Sequence, residues 1–243
     1  MRQTGFVSVS AFFDLIFPRR CGVCGVEPDA ADSFLCWNCR SQLRVVGDPH
    51  CSWCGNPLEG RVDHAYTCYH CTQMGPSFDR ARSAMRFEGA VPTLIHQFKY
   101  RGALWLRKEL VSWLVACVNV HYAAEAVDAV CSVPLYPARA RERGYNQAAI
   151  LAAALARHLH KPFWSRDLTR VRPTETQTHL TARQRLSNVA GAFRTRSSDR
   201  LRGRSILLVD DVMTTGATTS ACAQALKEAG CRVVNVVTLA RGQ

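Results

Sequence analysis

Long apolar runs are missing from this 243-residue chain. A membrane-spanning helix needs roughly 18–20 consecutive apolar residues, so a transmembrane segment is excluded from the reading. A secretory leader is not expected either. The apolar stretch from Phe6 to Phe17 is broken by Asp14, closes on Pro18-Arg19-Arg20 and lacks a small-residue cleavage site. It reads instead as a short helix packing on the body of a cytoplasmic protein. Negative charge is also scarce, with 19 Asp and Glu against 31 Lys and Arg and a net charge of +12. What is present is core-forming material: 47% of the residues are hydrophobic, which suits one moderate globular domain plus a smaller one.

The basic excess is unevenly placed. Residues 1–80 carry 7 Lys/Arg against 8 Asp/Glu, whereas residues 81–243 carry 24 against 11. Within 137–204 alone the balance is 15 to 4. A field of this sign suits a polyphosphate ligand, nucleic acid, or both, with a merely solvated surface as the alternative. The near-neutral first 80 residues are the poorer candidate for a main nucleic-acid contact, more so if thiolates add negative charge there.

Those first residues hold the clearest periodic signal. Eight of the 12 cysteines form four Cys-x-x-Cys pairs: Cys21/Cys24, Cys36/Cys39, Cys51/Cys54 and Cys68/Cys71. The intervals between pairs are 11, 11 and 13 residues. Each pair aims two thiolates at one point, and two pairs complete a tetrahedral zinc shell. Two structural zinc ions are therefore expected. Sequential pairing is the simplest arrangement, and a cross-braced one uses the same ligands. Disulfides are the rival reading, disfavoured in a reducing compartment. His50, His64 and His70 lie close in sequence but are surplus to two full shells. Cys117, Cys131, Cys222 and Cys231 sit in apolar context and read as core residues.

From Phe78 onward the pattern alternates strand and helix, which predicts a parallel sheet. Strands are expected at Arg82–Phe87, Val127–Val133, Ser205–Asp210 and Cys231–Leu239. Pro92–Val118 reads as helix interrupted near Gly102. Leu135–Tyr145 reads as an arginine-bearing loop, and Asn146 as the cap of a helix running through Leu159. Gly75-Pro76 marks the boundary, giving a metal module over 1–77 and an α/β domain over 78–243.

The run Ile206–Val209 ends in Asp210 and Asp211, and Thr214-Thr215-Gly216-Ala217-Thr218 then opens a helix. Carboxylates at the carboxyl end of a buried strand suit vicinal hydroxyls. A small-residue loop at a helix N-terminus suits a terminal phosphate. Val209-Asp-Asp-Val-Met-Thr-Thr-Gly-Ala-Thr218 resembles the phosphoribosyl-pyrophosphate signature of type I phosphoribosyltransferases. Together with Phe17–Cys24, Arg143-Gly-Tyr-Asn-Gln147, Gln177, Arg183 and Asn188, it makes the chain similar to the ComF (ComFC-type) competence family. That family joins a double zinc ribbon to a phosphoribosyltransferase-like domain.

The resemblance implies a parallel-sheet type I phosphoribosyltransferase fold. It implies that Asp210 and Asp211 contact the ribose hydroxyls of phosphoribosyl pyrophosphate, and that Met213, Thr214, Thr215, Gly216, Ala217 and Thr218 surround the 5′-phosphate. Arg139, Arg143, Asn146 and Gln147 would attend the pyrophosphate, with Mg²⁺ bridging it to the ribose. Gln177 and Arg183 would belong to a polar flap over the ligand. From their own position near the end of a helical run, Lys99 and Tyr100 are expected to face the same site. Such chemistry uses no covalent nucleophile, so the lack of a Ser-His-Asp or Cys-His set is consistent with it. Glutamine-dependent amidotransfer is not expected, because the chain begins Met1-Arg2 and carries zinc knuckles where a glutaminase domain would stand. The family context implies handling of single-stranded DNA in natural competence, with a competence helicase as partner. An active phosphoribosyltransferase acting on another acceptor is the alternative.

Overall fold

The computed structural model describes residues 19–30, 33–123, 126–174, 182–196 and 198–242. The expected N-terminal helix and Gln177 lie outside these residues. Among the described residues there are six named strands: β1 (Arg80–Arg86), β2 (Ala129–Ser132), β3 (Leu168–Arg170), β4 (Phe193–Thr195), β5 (Ser205–Met213) and β6 (Val233–Arg241). Four of them make a parallel sheet in the order β1-β6-β5-β2, and β3 pairs antiparallel with β4 apart from it. The central strand β5 is in register with both neighbours, Val209 lying opposite Val237 and Ser132.

The apolar run of β5 is buried on both faces, as a parallel sheet covered by helices requires. Leu207 and Val209 join Val237 and Leu239 under helices α3 (Val91–Tyr100), α4 (Arg107–His121) and α6 (Gln147–His158). Ile206 and Leu208 join Val234 and Val236 against α9 (Ala217–Glu228) and Phe193 of β4. Cys117 belongs to the first core; Cys131, Cys222 and Cys231 belong to the second. Burial raises all four of their thiol pKa values, Cys117 to about 12.

Two expectations need correction. The segment 135–145 is not a plain loop, because Pro137–Arg143 forms helix α5. Pro137 presets the first-turn φ and Gly144 closes the helix in the left-handed region at φ 81. Its density of arginine hid an ordinary helix start and stop. The second correction concerns β5, which continues through Met213 because β6 pairs with it as far as Arg241. Both carboxylates therefore lie inside the strand, and pleating sends them to opposite faces.

The cysteine-bearing segment contains two short helices, α1 (Trp37–Arg40) and α2 (Tyr69–Met74), each starting after a cysteine. It packs directly along the sheet edge. Arg86 N–H donates to the Arg44 carbonyl at 2.7 Å, Val46 N–H to Ala84 at 3.2 Å, and Ala81 N–H to Trp53 at 2.7 Å. The edge of β1 is thereby covered, which removes an exposed pairing template. Cys21, Cys36 and Cys39 extend one core, while Cys51, Cys54 and Cys71 extend the other, so the module straddles the sheet.

Candidate functional site

Two four-cysteine clusters stand at this edge, Cys21/Cys24/Cys36/Cys39 and Cys51/Cys54/Cys68/Cys71. Within each, the sulfurs lie within 4.8 Å of one another. The Cys24–Cys36 and Cys54–Cys68 separations are 3.6 and 3.7 Å. A zinc–sulfur bond of about 2.3 Å gives a tetrahedral edge of about 3.8 Å, so the donor set fits zinc. Pairing is sequential, and the cross-braced alternative is excluded. The sulfur separations suit shared ligation of one ion and are well beyond the about 2.05 Å of a disulfide bond. The knuckles close through Gly25 N–H on Cys21 O and Gly55 N–H on Cys51 O, both 2.9 Å. A side chain at Gly55 would meet Ala81 O at 2.7 Å, a contact that seats the second knuckle on the sheet. Arg241 Nη2 donates to Cys54 Sγ at 3.6 Å. Among the described residues, His50, His64 and His70 join neither cluster.

The second feature is the β5–α9 junction. Gly216 caps α9 at φ 78, where a Cβ would strike the Met213 side chain at 2.8 Å. Met213 is buried and accepts from Thr219 Oγ1 at 3.9 Å, so it shapes the loop from beneath. Thr214 accepts from Arg185 Nη1 at 3.0 Å, and Thr215 Oγ1 accepts from Ala217 N–H at 3.4 Å. Residues 210 and 212–219 enclose a depression of about 20 Å³ at the helix N-terminus, which has room for one small group. First-turn amides and the helix dipole favour an anion there.

Asp210 borders that depression. Burial, reinforced by the charge of Asp211, raises its pKa to about 7, although the Asp211 N–H, Lys99 and Arg170 pull the other way. Asp211 has a different fate. Its Oδ1 meets Lys99 Nζ at 2.7 Å and its Oδ2 accepts from Gln147 Nε2 at 2.6 Å. Gln147 Oε1 accepts in turn from Arg143 Nη1 at 2.7 Å, and Arg143 lies 4.6 Å over the Tyr100 ring. Burial lowers the Lys99 pKa, but Asp211 and Asp210 outweigh it, and the net shift is upward. Lys99, Tyr100, Arg139, Arg143 and Tyr145 line a cleft of about 600 Å³.

The sequence-predicted residues thus divide. Lys99, Tyr100, Arg139 and Arg143 line one cleft, buried Asp211 and Gln147 hold Lys99 and Arg143 from behind it, and Asp210 with Met213–Thr218 forms a separate depression. Asn146 is turned inward. Its Oδ1 caps Ala148 N–H at 3.0 Å and its Nδ2 donates to Val133 O at 3.0 Å. Arg183 lies in helix α7 (Ala182–Val189), which is followed by the short helix α8 (Ser198–Leu201). The sequence reading missed Arg185 on Thr214, Arg170 near Asp210, and Arg241 at the end of β6. Arg241 had a signal, since a charged residue ending a strand of β-branched residues sits where α/β sheets take ligands.

The chain matches the double zinc ribbon domain over residues 12–72 and the phosphoribosyl transferase domain over residues 146–243. It is 32% identical over 229 residues to Competence protein F of Haemophilus influenzae, covering 93% of this chain and 98% of that protein. The chain belongs to the ComF family. Within this family it is also 34% identical over 227 residues to DNA utilization protein YhgH of Escherichia coli K12, with coverages of 85% and 96%. Competence protein ComFC of Bacillus subtilis is 30% identical over 205 residues, with 82% and 80% covered. In this ComF-family chain no described helix is long and apolar enough to cross a membrane.

The raised Asp210 pKa has a stability consequence. A carboxyl whose folded pKa exceeds its unfolded value makes the native state hold more protons, so stability falls as pH rises from about 4 through about 7. Asp210→Asn should therefore stabilise the protein at pH 8 by about 1–3 kcal/mol and flatten the melting profile across that window. Thermal melts from pH 4 to 8 check this; a variant less stable than wild type at pH 8 contradicts it.

Proposed function

We propose that this protein binds phosphoribosyl pyrophosphate with Mg²⁺ and serves the handling of single-stranded DNA in natural competence, in the cytoplasm. The observation that carries the first part is that Asp210, which borders the depression at the α9 N-terminus, also feels the charge of Lys99, which lines the cleft with Arg139 and Arg143. In this reading the loop from Thr214 to Thr218 holds the 5′-phosphate, and Asp210 meets the ribose hydroxyls directly. Asp211 takes part by holding Lys99 and Gln147 at the pyrophosphate end, and Gln147 orients Arg143. Lys99, Arg139 and Arg143 would hold the pyrophosphate, and Mg²⁺ carried with it would add charge neutralisation. Direct titration of phosphoribosyl pyrophosphate with and without Mg²⁺ tests the proposal; heat of binding independent of Mg²⁺, or none at all, refutes it.

Catalysis is the second reading, and the cationic cleft favours it, because pyrophosphate departing from the anomeric carbon needs such a receptor. Pyrophosphate release in the presence of a panel of nucleobases separates an enzyme from a binding protein.

The DNA part rests on the 15 to 4 basic balance of residues 137–204 and on the relatives' names, Competence protein F and DNA utilization protein. A competence helicase belongs to the same reading as partner. Binding of an unstructured oligonucleotide to the full chain should weaken steeply with salt, with a log–log slope of about −0.7 per phosphate contact. A flat salt response reduces the basic excess to a solvated surface.

A further inference from the structure

A larger cleft, of about 700 Å³, opens beside the phosphate depression and shares Thr214 and Thr215 with it. That volume lies within the roughly 300–1,000 Å³ of ligand clefts. Its floor is the carboxyl end of the sheet, where β1 ends at Arg86-Phe87 and β6 ends at Arg241. Its far wall is the second zinc cluster's segment, with Tyr66, Tyr69 and His70. Tyr69 is 78% exposed and Phe87 41% exposed, so two aromatic side chains face solvent in one cleft.

Arg241 is the telling residue. It is only 7% exposed, with Nε donating to Asn56 Oδ1 at 3.1 Å and Nη2 to Cys54 Sγ at 3.6 Å. Its Nη1 is buried without any hydrogen-bond partner. A guanidinium nitrogen in that state costs free energy, which a small shift of the side chain toward an acceptor in the cleft would relieve. Arg86 lies beside it and the cleft carries one carboxylate, Glu88, so two guanidinium groups to one acid leave it suited to an anion.

The two cavities differ in a way that defines the ligand. The depression holds one small group and is closed beneath by Met213 and Gly216, so it admits a terminal phosphate and not a diester continuing in both directions. The adjoining cleft offers cations and exposed aromatic rings, the combination on which single strands stack their bases and lay their backbone. We infer that the two together form a receptor for the 5′-phosphorylated end of a single DNA strand. The terminal phosphate sits at the Thr214–Thr218 loop, the next phosphate reaches Arg241 and Arg86, and the first bases stack on Phe87 and Tyr69. This rests on the DNA part of the proposed function, and it makes the second zinc ribbon a wall of the site, against the charge-based expectation that the module is a poor contact. Because phosphoribosyl pyrophosphate would occupy the same loop through its own 5′-phosphate, the two ligands exclude one another.

The test is fluorescence anisotropy of the full-length zinc-loaded protein at low salt with a thymidine decamer bearing either a 5′-phosphate or a 5′-hydroxyl. The phosphorylated decamer should bind at least about tenfold more tightly, since a charge-assisted phosphate contact is lost from the other. Tyr69→Ala and Phe87→Ala should each weaken it by roughly 5- to 100-fold, the loss of one stacked base. Arg241→Gln should weaken it as well. Since Arg241 touches Cys54, that variant is read only alongside an unchanged zinc content, and the exposed Tyr69 and Phe87 variants decide independently. Equal affinity for the two decamers, or unchanged binding in Tyr69→Ala and Phe87→Ala, overturns the proposal and leaves DNA binding elsewhere on the basic surface intact. No binding of either decamer removes both this proposal and the DNA part of the proposed function, whatever phosphoribosyl pyrophosphate does.

Discussion

Removing zinc from this protein should release close to two ions per chain and abolish the fold of the cysteine-bearing segment. The segment has few apolar residues of its own, and structural zinc in comparable small modules supplies apparent binding energies of about 10–16 kcal/mol. The loss should not stay local. Cys51, Cys54 and Cys71 are packed in one core with Phe78 and Ala81, and the segment's backbone covers the edge of β1. Cys51→Ser should therefore remove about one ion and lower the melting temperature of the whole protein. Cys24→Ser, at an exposed ligand of the first cluster, should remove one ion with a smaller drop. Elemental analysis and circular dichroism during chelation measure both effects. A metal-free protein with an unchanged spectrum, or equal melting shifts for the two variants, would count against this account.

The second large effect concerns ligand binding. Phosphoribosyl pyrophosphate with Mg²⁺, supplied at about 100 times its dissociation constant, should stabilise the native state by about 2.7 kcal/mol. For a chain of this size that corresponds to a rise of about 5–11 °C in melting temperature. Asp210→Asn should abolish the shift while itself raising the unliganded melting point, because a strained carboxylate is removed along with its role. The shift should also grow as pH rises through about 7, where Asp210 loses its proton and becomes the anion that the site requires. Differential scanning fluorimetry on wild type and variant decides the matter. An Asp210→Asn protein that keeps the full ligand shift would show that the pocket works through other groups.

The two effects join at Arg241, which ends β6, hydrogen-bonds the second cluster through Cys54 and lines the cleft beside the phosphate loop. Metal, sheet edge and candidate site therefore share one side chain. The ligand-induced melting shift should shrink in any variant that loses the second zinc, because that cluster's segment and the phosphate loop meet in one cleft at Thr214 and Thr215.

Sequence by itself determined the parts whose signal is local. Four Cys-x-x-Cys pairs dictate the ligands because two residues of spacing fix two thiols on one turn. The apolar run before Asp210 dictates a buried strand, and Gly216 before Ala217 dictates the turn into α9. The helix in 137–143 is equally local in its signals, Pro137 at its start and Gly144 at its end, although its arginines give the segment the composition of a phosphate-binding loop. Other features belonged to the tertiary structure alone. Adjacent carboxylates look like a pair in a sequence, but a pleated strand sends them apart, and only packing brings Lys99 and Gln147 to Asp211, across 112 and 64 positions. Zinc pairing was undetermined because sequential and crossed arrangements use identical ligands, and the fold chose by setting one cluster on each face of the sheet. The buried, half-partnered guanidinium of Arg241 could not be read at all before folding, because its partners Asn56 and Cys54 come from the far end of the chain.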